Sequence, residues 1–219
     1  IGLFRPRFSA QSTTCPIAIS LAVLNQELSF SLLTAWMIPL YGFIGMLVSL
    51  PWAAGLFRRV AHRPAAYLNI LLTLLAFVHG SLILQEVFQS GPVDLSYPWL
   101  TVADLELDIS FSLSLTNLVA LELITGLSLF SQVYSLGYMD KEWALARFFA
   151  LLGFFEGAMS GVVLSDSLFQ SYFLLEMLTL STYLLVGFWY AQPLVITAAR
   201  DAFLTKRVGD VLLLMGVVV

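Results

Sequence analysis

Cysteine is nearly absent: Cys15 stands alone in 219 residues. That excludes an internal disulfide and any cysteine-ligated zinc or iron–sulfur centre. Histidine is almost as scarce, and His62 and His79 are too far apart for a helical i, i+4 metal pair. Charge is thin as well. Asp, Glu, Lys and Arg make up 11% of the chain, against about 25% in soluble domains. No Walker loop, dinucleotide glycine fingerprint or nucleophile elbow occurs, and GLSLF (Gly126 to Phe130) is not GxSxG. The chain alone therefore has no equipment for redox chemistry or nucleotide hydrolysis. No basic patch with interleaved aromatics exists, so nucleic acid is not an expected partner and the net charge of −4 carries no such meaning.

What is there is hydrocarbon. Hydrophobic residues make up 59% of the chain, with a mean hydropathy of +0.90. Such a chain cannot cover a soluble surface, so the expected fold is an all-α polytopic membrane protein in a lipid bilayer. A span needs ~20 apolar residues. Six can be read, at about Leu32 to Phe57, Ala65 to Phe88, Thr116 to Leu136, Leu145 to Leu164, Ser171 to Tyr190, and from Pro193 to the end. Pro39 and Pro51 suggest kinks in the first.

Four regions follow from this reading. Residues 1–27 form an N-terminal extension, a signal or transit segment or a disordered or non-native stretch, with no assigned function. Residues 28–88 hold the first two spans. Residues 89–115 form a loop in which LELDISFSLSL, Leu105 to Leu115, alternates strictly between apolar and polar residues. That period of two marks a half-buried strand. YPWLTVADL upstream supplies a partner for a β-hairpin. Open strand edges cannot face lipid, so the hairpin belongs on a membrane face. Residues 116–219 hold spans three to six. Arg58, Arg59, Arg63, Lys141, Arg147, Arg200, Lys206 and Arg207 all fall on one side, the cytoplasmic side by charge bias. The hairpin loop opposite carries Asp94, Asp104, Glu106 and Asp108. Beginning at Ile1 and stopping inside VLLLMGVVV, the chain reads as an N-terminal fragment.

The carboxylates inside spans carry the functional signal. One acid at a helix centre costs on the order of 3 kcal/mol to insert, and each Leu, Phe or Val returns roughly 0.3–0.6. SYFLLEMLTLSTYLLVGFWY therefore inserts despite Glu176. Tyr172, Thr179, Tyr183 and Gly187 lie at helical spacing from Glu176 and make one polar stripe. Burial and a nearby cation act in opposite senses on such a group, which lets it exchange protons when its partner moves. Against this stands a purely structural glutamate. In ARDAFLTKRVGD, Lys206 and Arg207 precede Asp210 by four and three residues, so a local ion pair is expected. Lys206 reads equally as an interface anchor. Glu156, beside small residues in FFEGAMSG, reads equally as a second proton site or an interhelical hydrogen-bond partner. Glu122 is expected near the interface, and His79 as a satisfied interior histidine.

The runs LGYMDKEWALARFFALLGFFEGAMSG and LLEMLTLSTYLLVGFWYAQPLVITAARDAFLTKRVGD resemble the antiporter-like membrane subunit, chain 5, of complex I and its cyanobacterial and chloroplast relatives. The resemblance covers about Trp36 to Val219 and is nearest to forms serving carbon dioxide uptake. It implies the N-terminal part of an antiporter-like fold. It implies a proton-translocating subunit of an NAD(P)H– or ferredoxin–quinone oxidoreductase in a thylakoid or plasma membrane. NAD(P)H or ferredoxin, iron–sulfur clusters and quinone, such as plastoquinone, would sit in partner subunits, with a carbon dioxide hydration subunit as a further partner. By position Glu176 matches the family's fifth-span glutamate, and Arg207 with Asp210 match its sixth-span pair. The switching lysine would lie past Val219. Glu156 does not belong to the general family pattern. The alternatives are a cation–proton antiporter subunit and a structural scaffold that conducts no ion. A quinone- or haem-binding redox enzyme is disfavoured by the lack of paired histidines and cysteines.

Overall fold

The computed structural model describes residues 30–55, 63–102, 105–139, 142 and 144–218. The extension 1–27 and the loop residues Arg58, Arg59, His62 and Lys141 lie outside the described residues. A short helix α1 (Phe30–Leu33) leads into α2 (Met37–Ala53) and α3 (Arg63–Ser90). A hairpin of β1 (Val93–Val102) and β2 (Leu105–Leu113) comes next. Then follow α4 (Leu115–Tyr138), α5 (Leu145–Leu164), α6 (Leu168–Val186) and α7 (Pro193–Val218). Helices α3, α4, α5 and α6 are long and apolar enough to cross a membrane. At 17 residues α2 is shorter, and α7 carries all its charges between Arg200 and Asp210.

The first expected span differs most from its sequence reading. A turn over Thr34 to Trp36 separates α1 from α2. Pro39 falls in the first turn of α2, where a missing N–H costs nothing. Pro51 lies near the other end, and the helix stops two residues later. The fifth helix starts and ends earlier than read from hydropathy. Gly187 takes its C-cap position, and the aromatic run Phe188 to Tyr190 forms the turn into α7.

The hairpin is antiparallel, with Val93 opposite Leu113 and Val102 opposite Leu105. Its register shifts between Pro98 and Leu100, as suits a proline that cannot donate to the ladder. The alternation read from the sequence is real: Phe111 and Leu113 are buried, while Ser110 and Ser112 face the other way. The hairpin is pinned to the α5–α6 junction. Asp166 N–H donates to Ser110 O over 3.1 Å, and Ser110 N–H donates to Gln170 Oε1 over 3.1 Å.

Two apolar cores mark the two ends of the bundle. Ile38, Ile83, Leu95, Leu113, Leu118 and Leu164 gather at the hairpin end. Ala66, Met139, Leu145, Phe149 and Phe188 gather at the other. The chain thus runs up and down between them, and the basic connections Arg63, Arg147 and Arg200 begin at the end away from the hairpin. Arg147 lies over Phe188 and Tyr190, 5.7 and 5.2 Å from their ring centres. The tightest helix pair is α2 with α5, and glycines make it so. A Cβ on Gly42 would sit 2.5 Å from Gly157 N and 2.6 Å from Gly153 O. One on Gly157 would sit 2.9 Å from Pro39 O. Backbone meets backbone there, as in small-residue membrane packing.

Candidate functional site: two carboxylate clusters

Glu176 projects from α6 toward α7. Arg207 Nη1 forms an ion pair with Glu176 Oε2, and Tyr172 OH donates to Oε1 over 2.8 Å. The pair is only partly shielded: Glu176 is 21% exposed and Arg207 41%. Arg207 also lies over the Phe203 ring, 5.1 Å from its centre, and Phe203 packs on Tyr183. The polar stripe of α6 therefore faces α7, with Thr179 buried and Tyr183 lining the groove between the two helices. The helices run antiparallel, since later residues of α7 meet earlier residues of α6. Gly187 approaches Ala199, Lys206 Nζ donates to Thr182 Oγ1 over 3.2 Å, and Arg207 reaches Glu176.

This geometry corrects the expected local pair on α7. Neither Lys206 nor Arg207 bonds Asp210; each reaches across to α6 instead. Asp210 Oδ2 is buried and has no hydrogen-bond partner. A crossing helix that offers an oxygen directly wins over a carboxylate that both side chains must fold back along their own helix to reach. The cation beside Glu176 is thus Arg207 of this same chain.

Glu156 sits in a second cluster among α3, α4 and α5. It is 1% exposed. Its Oε2 accepts from Thr73 Oγ1 over 2.6 Å, from Ser128 Oγ over 3.1 Å and from Gln132 Nε2 over 3.1 Å. Thr73, Ser128 and Gln132 were not singled out by sequence. Ser128 and Gln132 stand one helical turn apart on α4, a visible signal, but nothing in the sequence says that their face meets Glu156. Next to this cluster, Asn69 bonds Ser49 and the carbonyls of Gly45 and Ala65. Glu122 turns toward α3, where its Oε2 accepts from Ser81 Oγ over 3.1 Å and its Oε1 lies against Gly80. His79 is the satisfied histidine expected, with Thr34 Oγ1 at 3.2 Å and Tyr41 OH at 3.4 Å. Among the described residues no group of His, Cys, Asp and Glu could hold a metal ion.

Two family models match the chain. Residues 99–149 match the N-terminus of chain 5 of NADH-ubiquinone oxidoreductase, complex I. Residues 165–219, which include Glu176 and Arg207, match the membrane domain of NADH:quinone oxidoreductase and Mrp antiporters. NAD(P)H-quinone oxidoreductase subunit 5, organellar chromatophore 2, of Paulinella chromatophora is 72% identical over 197 residues. Over most of its length, then, the chain is similar to chain 5 of complex I. Chloroplastic subunit 5 of Chlorokybus atmophyticus is 32% identical over 188 residues, and that of Agrostis stolonifera 33% over 189. The matches take in 89%, 84% and 84% of this chain but only 32%, 28% and 25% of those relatives. The chain therefore spans about a third or less of the length of these relatives, and both carboxylate clusters lie within the matched stretch.

Proposed function

We propose that this chain 5 segment is part of a proton-translocating membrane subunit of an NAD(P)H– or ferredoxin–quinone oxidoreductase, with Glu176 as its proton-loading group. The observation that carries the reading is the ion pair between Glu176 and Arg207 across α6 and α7. A proton arriving on Glu176 neutralises the carboxylate and weakens its hold on Arg207. Asp210, one turn further along α7 with a bare buried oxygen, is the second carboxylate available to that guanidinium. Arg207 then alternates between two anions, and Lys206 supports the same face through Thr182. Glu156 is a second proton site on the route. Electron donor, iron–sulfur clusters and quinone belong to partner subunits, and quinone reduction there drives proton movement here.

In this reading α2 and α7 also cross the bilayer, making six spans with α3 to α6. The basic end faces the cytoplasm or stroma and the hairpin faces the opposite compartment of a thylakoid-type membrane. The family model shared with Mrp antiporters favours a second reading, a cation–proton antiporter subunit, which uses the same carboxylates. Glu176→Gln in the full complex, reconstituted in sealed vesicles, tests the first. Quinone reduction and assembly are expected to persist while proton uptake is lost. Undiminished pumping would remove Glu176 from the route, and loss of assembly in both Glu176→Gln and Glu176→Ala would leave it a structural role.

A further inference from the structure

We propose that Glu156 holds its proton on Oε1 and shares it with Oε1 of Gln132, so that acid and amide close a two-bond ring inside the α3–α4–α5 cluster. The argument is a hydrogen count. All three donors around Glu156 converge on one oxygen, Oε2. The other, Oε1, is buried and has no partner, and Gln132 Oε1 is in the same condition. Both side chains are at least nine-tenths buried, Glu156 at 1% exposed and Gln132 at 0%. Two bare acceptors in one apolar interior each bear the desolvation cost of an unmade bond. Glu156 and Gln132 are already joined on their other side, through Gln132 Nε2 and Glu156 Oε2 at 3.1 Å. A carboxyl and a carboxamide so joined complete a ring when the acid carries one hydrogen. That single hydrogen satisfies both bare oxygens. Among the described residues no lysine or arginine pairs with Glu156 to serve instead.

Thr73 reinforces the arrangement. Its hydroxyl donates to Glu156 Oε2 while accepting from Gln132 Nε2 over 2.7 Å, so the amide is held by its N–H groups and its buried oxygen is left for the acid's hydrogen. Gln132 is thus a positioning residue for a proton, and Glu156 is its carrier. This deepens the placing of Glu156 on the proton route, but the ring stands on local hydrogen bonding and can be read without any pumping.

The test is infrared difference spectroscopy on the intact purified complex in H2O and D2O. A protonated-carboxyl C=O band that moves in D2O should be present in wild type and missing in Glu156→Gln. In Gln132→Leu the band should persist but move to higher frequency, because the carboxyl has lost a bond. No band removed by Glu156→Gln means an ionised or cation-bound carboxylate and overturns the proposal. A band that Gln132→Leu leaves unmoved means the hydrogen is shared elsewhere, with a water for instance, and overturns it too. Should Glu156→Gln fail to assemble, the Gln132→Leu comparison decides alone. Undiminished pumping in Glu176→Gln with the band intact would instead count against the Glu176 reading and leave the ring standing.

Discussion

Arg207 is the residue on which charge and shape can be separated most cleanly. Its guanidinium meets Glu176 and covers Phe203 at once. Arg207→Lys keeps the cation but not the planar fork or the ring contact. It is expected to retain a reduced but measurable proton flux in reconstituted vesicles, while Arg207→Leu retains none. Equal fluxes in the two variants would show that charge at this position is irrelevant. Glu176, Arg207, Lys206, Asp210 and Glu156 were all legible in the sequence, because a charge inside an apolar run costs free energy and so stands out. Their pairings were not. Spacing along one helix suggested Arg207 with Asp210, whereas the partner lies on a neighbouring helix whose rotation no single-chain periodicity fixes. Thr73, Ser128 and Gln132 went unread for a related reason. Neutral hydroxyls and amides are cheap enough in a span that their presence alone signals little.

Among the elements, the α2–α5 contact and the hairpin make opposite demands. Gly42 and Gly157 leave no room for a side chain. Gly157→Leu must push the helices apart, and overpacking of this kind costs about 1–3 kcal/mol or more. The expected result is a clear fall in assembled complex on native gels, with proton flux per assembled complex unchanged. The hairpin is held to α6 by single bonds. Gln170→Ala removes the acceptor for Ser110 N–H, a loss of about 1 kcal/mol or roughly fivefold in local opening. Hydrogen exchange at the Ser110 amide should quicken by about that factor, and an unchanged rate would mean that the bond does not protect it. The hairpin itself was readable from strict alternation, since period two has no helical counterpart. The turn over Thr34 to Trp36 was not, because Thr34, Ala35 and Trp36 include no glycine, proline or charge to mark a break.

For the whole molecule, the consequential feature is the sorting of its two ends. One end holds the hairpin; the other holds Arg63, Arg147 and the α6–α7 turn. In a Cys15→Ser background, a cysteine at exposed Ala191 should react with an impermeant maleimide from the cytoplasmic or stromal side. One at exposed Asp108 should react only from the other side. Labelling of both from one side would refute the up-and-down path. The alternation of apolar runs with polar connections made the up-and-down path legible, whereas the lengths of α2 and α7 were not, and Lys206 and Arg207, expected on the basic side, reach Thr182 and Glu176 within α6.

Among the described elements, α7 packs extensively against α6 alone. Its named ties are the Glu176–Arg207 pair, the Lys206–Thr182 bond and the Tyr183–Phe203 stack. On the proposed role of Glu176, one of those three fastenings is undone each time a hydrogen ion binds. Passenger and latch key are then the same particle, and loading the carrier is already the first movement of the machine.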